Sequence, residues 1–62
     1  MNKCKVVFVT NKQTFLFASE LSLENSVQLA LNLHRASNVS HHIDVFEDDR
    51  RVCSFVSQNV SE

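Results

Sequence analysis

The sequence of 62 residues contains neither glycine nor proline. Because these two residues make most tight turns, the turns of this chain have to be built from Asn, Asp and Ser. Their absence excludes the glycine-rich loops that hold phosphate groups in dinucleotide-binding and P-loop proteins. It also excludes the nucleophile elbow of the α/β-hydrolases. We therefore expect no bound cofactor.

Four segments have the residue pattern of β-strands. Residues 4–10 and 14–19 are rich in β-branched and aromatic side chains, which strands favour. Only a short polar break separates them, so we predict an antiparallel hairpin. Residues 41–47 and 51–57 show apolar and polar alternation on either side of the charged run "EDDRR". This pattern predicts a second hairpin, with Asp48 and Asp49 at its tip.

A helical period separates the two hairpins. Ser22 is the predicted N-cap, because a serine hydroxyl can accept a hydrogen bond from the first turn. Asn38 is predicted to end the helix, since Asn tolerates the left-handed conformation that follows many helices. The residues predicted to face the sheet recur at helical spacing, and they are Leu23, Val27, Ala30, Leu31 and His34.

The order of elements predicts an α+β fold. We expect a small ββαββ domain with one helix packed on a four-stranded, mostly antiparallel sheet. Sixty-two residues allow one domain, residues 1–62, with a polar tail at residues 58–62 that is expected to fray.

The predicted helix carries more apolar surface than one sheet face needs. Leu29 and Leu33 widen its apolar arc to roughly 200°, whereas a surface helix usually buries about 100° or somewhat more. Either the helix sinks deeply into the small domain, or these two residues stay partly open for a partner or a second copy.

The sequence offers little support for catalysis or metal binding. His41 and His42 are adjacent, so on a strand they point to opposite faces, and no spacing typical of a zinc site is present. We expect solvated histidines at a strand edge. Cys53 lies on a predicted strand and is expected to pack as a small apolar side chain. We therefore predict that the protein is not an enzyme and holds no metal.

The charge balance excludes several classes of partner. The net charge is −1 and the basic residues are scattered along the chain, so no direct nucleic-acid binding is expected. Phenylalanines on strands are nevertheless also found in the base-stacking sheets of RNA-binding proteins. A small nucleic-acid-binding regulator is therefore the alternative. No apolar run reaches the ~18 residues of a membrane span. Two cysteines and the absence of a secretion signal favour a reducing cytoplasm.

Several segments, in order, resemble one known family. They are "KVVF" at residues 5–8, Val27, Gln28 and Ala30 in the helix, Asn38 after it, and "VFEDDRRVC" at residues 45–53. These residues are similar to the Dmd (discriminator of mRNA degradation) antitoxins of T4-like bacteriophages, over most of the chain.

The resemblance implies a function. Dmd-type antitoxins bind host endoribonuclease toxins of the RnlA and LsoA kind and stop them from degrading phage mRNA. The expected partner is thus such a toxin, met in the host cell cytoplasm. Whether the free protein forms a homodimer stays open. Leu29 stands where the compared member carries a large aromatic residue, which leaves toxin specificity open. Cys4 replaces an aliphatic residue, which leaves a cross-link between copies open.

The predicted toxin-binding residues fall into two groups. Leu29 and Leu33 are the apolar candidates on the helix, and Asn32 and Asn38 are the polar ones. The acidic residues of the second hairpin could meet basic groups that normally hold RNA, and they are Glu47, Asp48 and Asp49. No catalytic or cofactor-binding residue is predicted.

Overall fold

The two hairpins join into one antiparallel sheet that a single helix covers on one face. A computed structural model describes residues 3–57. The elements, in chain order, are β1 (Cys4–Val9), β2 (Thr14–Leu21), α1 (Leu23–Ala36), β3 (His41–Glu47) and β4 (Arg50–Ser57). The α+β class and the ββαββ order are confirmed. The tail predicted to fray lies outside the described residues. No helix within residues 3–57 is long and apolar enough to cross a membrane.

The sheet has the strand order β2-β1-β3-β4, so β1 is central although it comes first in the chain. Each hairpin supplies one inner and one outer strand, and β1 pairs with β3 to join them. The side chains that form the centre of the core come from the two inner strands, because only these strands have neighbours on both edges. They are Val6, Ile43 and Val45, which pack with Ala30 of the helix.

The turns show how this chain reverses direction without glycine. The hydroxyl of Thr10 accepts hydrogen bonds from the backbone N–H of Lys12 and of Gln13, at 3.3 and 3.1 Å. In the second hairpin Asp48 takes a φ of 58°, a conformation that Asp tolerates better than most residues. Its N–H donates to the carbonyl of Lys3 at 3.1 Å. The turn built from Asp that the sequence predicts is confirmed.

The helix begins where the sequence predicts and ends earlier. The Oγ of Ser22 accepts a hydrogen bond from the N–H of Asn25 at 3.1 Å, so the predicted N-cap is confirmed. The prediction that Asn38 ends the helix is wrong. Ser37 is the C-cap, with φ −85° and ψ 136°, and its N–H bonds the carbonyl of Leu33. No left-handed residue is therefore needed, because the chain turns directly into extended backbone.

The helix is also rotated about its axis relative to the prediction. Ser26 and Ala30 are its buried residues, and Leu33 packs against the core. Of the residues predicted to face the sheet, Ala30 is buried and Val27 packs against the core, so this part of the prediction is confirmed. Leu23 is 45% exposed, and the centre of the buried face lies roughly 60° from the direction of Leu23 and His34. The reason is size: small residues let the helix approach the sheet closely, and the hydroxyl of Ser26 is satisfied by the carbonyl of Leu23 at 2.8 Å.

Candidate functional site

The predicted helix residues divide into two packed and two exposed side chains. Leu29 and Leu33 are half-buried and pack against the core cluster. Much of their surface is therefore covered by the domain itself, which is the first of the two alternatives, a deeply set helix. Asn32 and Asn38 are exposed and are free to meet a partner. Among the large apolar residues of the helix, Leu23 is the most open to solvent, at 45% exposure.

The flank of the helix that carries Leu29 and Leu33 is turned toward β2. His34 lies on the opposite flank, where its ring centroid is 5.5 Å from that of Phe55 in β4. Because Leu29 is about 140° around the helix from His34, it faces the other side of the sheet.

On that side, Phe15 of β2 pairs with Phe8, whose ring packs against the core, and their ring centroids are 6.4 Å apart. Phe15 and Phe17 are 45% and 49% exposed. We refer to Phe15, Phe17, Leu29 and Leu33 together as the β2-side surface.

The acidic hairpin tip is separate from the end of the helix. Glu47, Asp48 and Asp49 line an open depression with Arg50, at the end of the sheet where Cys4 pairs with Glu47. Asn38 precedes β3 and therefore lies at the opposite end of the sheet. The structure does not bring all the predicted residues into one site.

The two arginines of the "EDDRR" run do not both neutralise the tip. Arg51 sits opposite Phe46 in the β3–β4 pairing, and its Nη1 lies 3.8 Å from Oδ1 of Asp44. The ion pair of Arg51 therefore reaches outside the charged turn. Its charge belongs to the face of the sheet that the helix leaves open. The tip keeps three acids against the one remaining arginine, Arg50.

The open face of the sheet holds an acid, Asp44, whose burial the sequence did not predict. Asp44 is only 9% exposed although no helix covers it. His42 Nε2 lies 2.9 Å from its Oδ1, yet this oxygen has no aligned hydrogen bond within residues 3–57. We regard the contact as a close approach of poor geometry, since a hydrogen bond needs direction as well as distance. On the same face, Nζ of Lys5 lies 5.5 Å from the ring centroid of Phe46.

His41 is buried, so the expectation of two solvated histidines is wrong for this residue. It is 4% exposed, and its Nδ1 lies 2.7 Å from the carbonyl oxygen of Val39. A carbonyl only accepts, so Nδ1 carries the proton. In the neutral ring Nε2 then accepts from Nδ1 of His34, 2.9 Å away. The helical spacing placed His34 in the last turn, but no local pattern could show that it meets His41.

The described residues hold no evident reactive centre. Within residues 3–57, no three His, Cys, Asp or Glu side chains come together as a metal site would require. Cys53 packs against the core, as predicted for a small apolar side chain. Cys4 is a free thiol with 1% exposure, so a cross-link through it would require the strand to open.

The arrangement therefore offers surfaces rather than a cleft: the β2-side surface, the acidic tip and the open sheet face. Such surfaces suit contact with another macromolecule more than the enclosure of a small molecule. Comparison of the chain with models of protein families, with curated proteins and with solved structures finds no match.

Proposed function

We propose that this protein is a phage antitoxin that binds a host endoribonuclease toxin of the RnlA or LsoA kind in the host cytoplasm and thereby protects phage mRNA. It acts stoichiometrically, as one folded protein held against another, and not as an enzyme. The proposal rests on the resemblance of residues 5–8 and 45–53 to the Dmd antitoxins and on the surfaces described above.

The observation that carries the proposal is the β2-side surface. Phe15 and Phe17 expose nearly half of their side chains, and aromatic residues are frequent anchors of protein interfaces. They lie on the side of the domain toward which Leu29 and Leu33 turn. The aromatic contact that the compared family member has at the position of Leu29 would here come from β2.

The acidic tip supports a second contribution, to the rate of association. A nuclease binds RNA through basic groups, and Asp48 and Asp49 are exposed. Arg50 and Lys3 lie beside them and offset part of their charge. Complementary charge at the rim of an interface acts mainly on the association rate. Replacing both acids with Asn should therefore slow association, most clearly at low salt, and change the dissociation rate little.

The test is a titration of purified toxin with the antitoxin during cleavage of a labelled mRNA, with RnlA-type and LsoA-type toxins assayed separately. We expect complete inhibition of at least one toxin near one molar equivalent. If both toxins remain fully active with about a tenfold excess of antitoxin at micromolar concentrations, the proposal is wrong.

The site is tested by Phe17→Asp, which places a charge on the β2-side surface at an exposed position. Val56→Asp is the matched control, because Val56 is 57% exposed on β4 at the other edge of the sheet. Phe17→Asp should weaken inhibition at least ~100-fold, as loss of an interface anchor does, and Val56→Asp should not. Leu29→Asp is a poorer probe, because Leu29 packs against the core and a charge there would also damage the fold.

One observation favours the alternative, a small nucleic-acid-binding regulator. Lys5 lies over Phe46 on the open sheet face, and Arg51 reaches the same face. Aromatic and cationic side chains on an antiparallel sheet are the means by which several RNA-binding folds hold bases. The buried carboxylate of Asp44 between them opposes this reading. Binding of single-stranded RNA that weakens steeply with rising salt would support the alternative.

A further inference from the structure

His34 and His41 link the last turn of α1 to the first residue of β3. His41 is 4% exposed, and His34 is half-buried. Nδ1 of His34 and Nε2 of His41 are 2.9 Å apart, while Nδ1 of His41 donates to the carbonyl of Val39 at 2.7 Å. The two rings thus join the helix, the connection that follows it and the next strand. We refer to His34 and His41 together as the histidine latch.

The number of protons between the two facing nitrogens decides whether the latch is closed. A hydrogen bond between two ring nitrogens needs one proton between them, because one nitrogen must donate and the other must accept. In the neutral pair this proton lies on Nδ1 of His34. The outer nitrogen of that ring, Nε2, is then bare, and Nδ1 of His41 keeps its own proton for the carbonyl of Val39.

One additional proton leaves the latch closed. It can occupy the outer Nε2 of His34, and both hydrogen bonds remain, with the bond between the rings now assisted by charge. A positive charge on His34 also lies in the last turn of α1, where the helix dipole favours cations. If the facing proton moves to Nε2 of His41, the charge moves to that ring and the number of hydrogen bonds is unchanged.

A second additional proton cannot be accommodated by the closed latch. Both facing nitrogens would then carry hydrogen, so two donors would meet at 2.9 Å with no acceptor between them. Two positive rings would also lie with their centroids 5.0 Å apart, and one of the two is buried. Like charges repel each other most strongly where water is excluded, so the two rings have to separate.

The surroundings of the latch provide no negative charge that would offset a second proton. Phe8 of β1 and Phe55 of β4 pack against the two rings, at centroid distances of 5.4 and 5.5 Å. Ser57 of β4 pairs with the first residue of β3. In α1 the neighbouring Arg35 is exposed and adds positive charge. Within residues 3–57, neither ring of the latch forms an ion pair with an acid.

We propose that the histidine latch is an acid-sensitive switch, which stays closed with one additional proton and opens with two, releasing the last turn of α1 and residues 37–40 from β3. Each histidine of an unfolded chain takes up its additional proton near pH 6.5. Below that pH the unfolded chain holds two such protons on these residues, and the closed latch holds only one. The stability that depends on the second proton is therefore fully present above about pH 6.5 and is lost as the pH falls below it. This inference does not depend on the proposed function.

The switch is tested by urea unfolding of the full chain between about pH 7.5 and about pH 5, where the folding equilibrium constant should fall by up to about tenfold per pH unit below about pH 6.5. His34→Asn should reduce this fall, because an amide in place of Nδ1 can rotate to accept from a protonated His41. His41→Gln should reduce it as well, because it removes one of the two titrating rings. His42→Gln is the matched control, since His42 lies outside the latch beside Asp44. Its fall should be at least as steep, because a protonated His42 gains that carboxylate.

Nuclear magnetic resonance of the ring nitrogens counts the protons in the parent protein, so this test does not require any variant to fold. In the folded state the two rings of the latch should take up one additional proton between them, and His42 should take up one of its own. Two fully protonated latch rings in a folded protein, with the last turn of α1 still protected from hydrogen exchange, would overturn the inference. A fall in stability that His42→Gln abolishes, and that both latch variants leave intact, would overturn it too.

Discussion

Replacing Asp44 with valine should stabilise the protein, although the change removes an ion pair. Asp44 is 9% exposed, so its carboxylate is held almost entirely out of water. One of its buried oxygens has no aligned hydrogen bond within residues 3–57. Burying a carboxylate costs free energy unless well-aligned partners compensate it, and aspartate is also among the poorest strand formers.

The compensating interactions of Asp44 are weak by comparison. Arg51 lies 3.8 Å away with 57% of its side chain exposed, and an exposed pair of this kind contributes under about 1 kcal/mol. The His42 contact is short at 2.9 Å but poorly aligned, and it is an ion pair only when the ring is protonated. Valine adds up to about 1 kcal/mol of strand preference and fills a similar volume beside Val7. We expect the free energy of unfolding to rise by about 1–2 kcal/mol.

The assay is urea unfolding followed by circular dichroism. With a slope of about 1 kcal/mol/M for so small a domain, the midpoint should increase by roughly 1–2 M. Arg51→Gln should lower the free energy of unfolding by under about 1 kcal/mol in the parent protein. In the Asp44→Val background it should have no measurable effect, because the carboxylate that pairs with Arg51 is then absent. A fall of more than about 1 kcal/mol for Asp44→Val would show that the carboxylate is well satisfied, and the reasoning would be refuted.

Three further substitutions, one of them with a matched control, test the local structure in the same unfolding assay. His34→Ala should lower the free energy of unfolding by about 2 kcal/mol, because it leaves the buried Nε2 of His41 without its donor; a change below about 0.5 kcal/mol would contradict the pairing. Asp48→Ala should lower the free energy of unfolding by about 1 kcal/mol, because alanine tolerates the positive φ of this position less well than aspartate does. Asp49→Ala should lower it by almost nothing, and equal losses for the two variants would argue against this turn. Ser22→Ala should cost about 1 kcal/mol as a lost N-cap, and no change would mean that the cap is not formed.

The sequence was sufficient for the order and type of the elements. Alternation is a local property of an extended chain, so it separated Ile43 and Val45, which face the helix, from Asp44 on the other face. The serine at position 22 marked the start of the helix, because capping involves only the first turn. The short polar break after Val9 required an antiparallel hairpin.

The candidate site could be predicted only in part. Asn32, Asp48 and Asp49 are exposed, as an interaction surface requires. For Leu29 and Leu33 the helical wheel left two alternatives open, burial or exposure, because it does not show how closely small side chains let the helix approach the sheet. Whether any of these residues contacts a toxin stays a prediction.

The sequence by itself determined a ββαββ chain with glycine-free turns, the N-terminal boundary of its helix and the alternation that puts Ile43 and Val45 on one side of β3 and Asp44 on the other. Only the tertiary structure decided the strand order, the rotation of the helix, the burial of His41 and Asp44, and the removal of Arg51 from the acidic tip. The physical reason is range. Periodicity and capping depend on neighbours within one or two turns of the chain, whereas burial depends on which distant segment lies opposite. The exposed edge of β2 follows from that second kind of information.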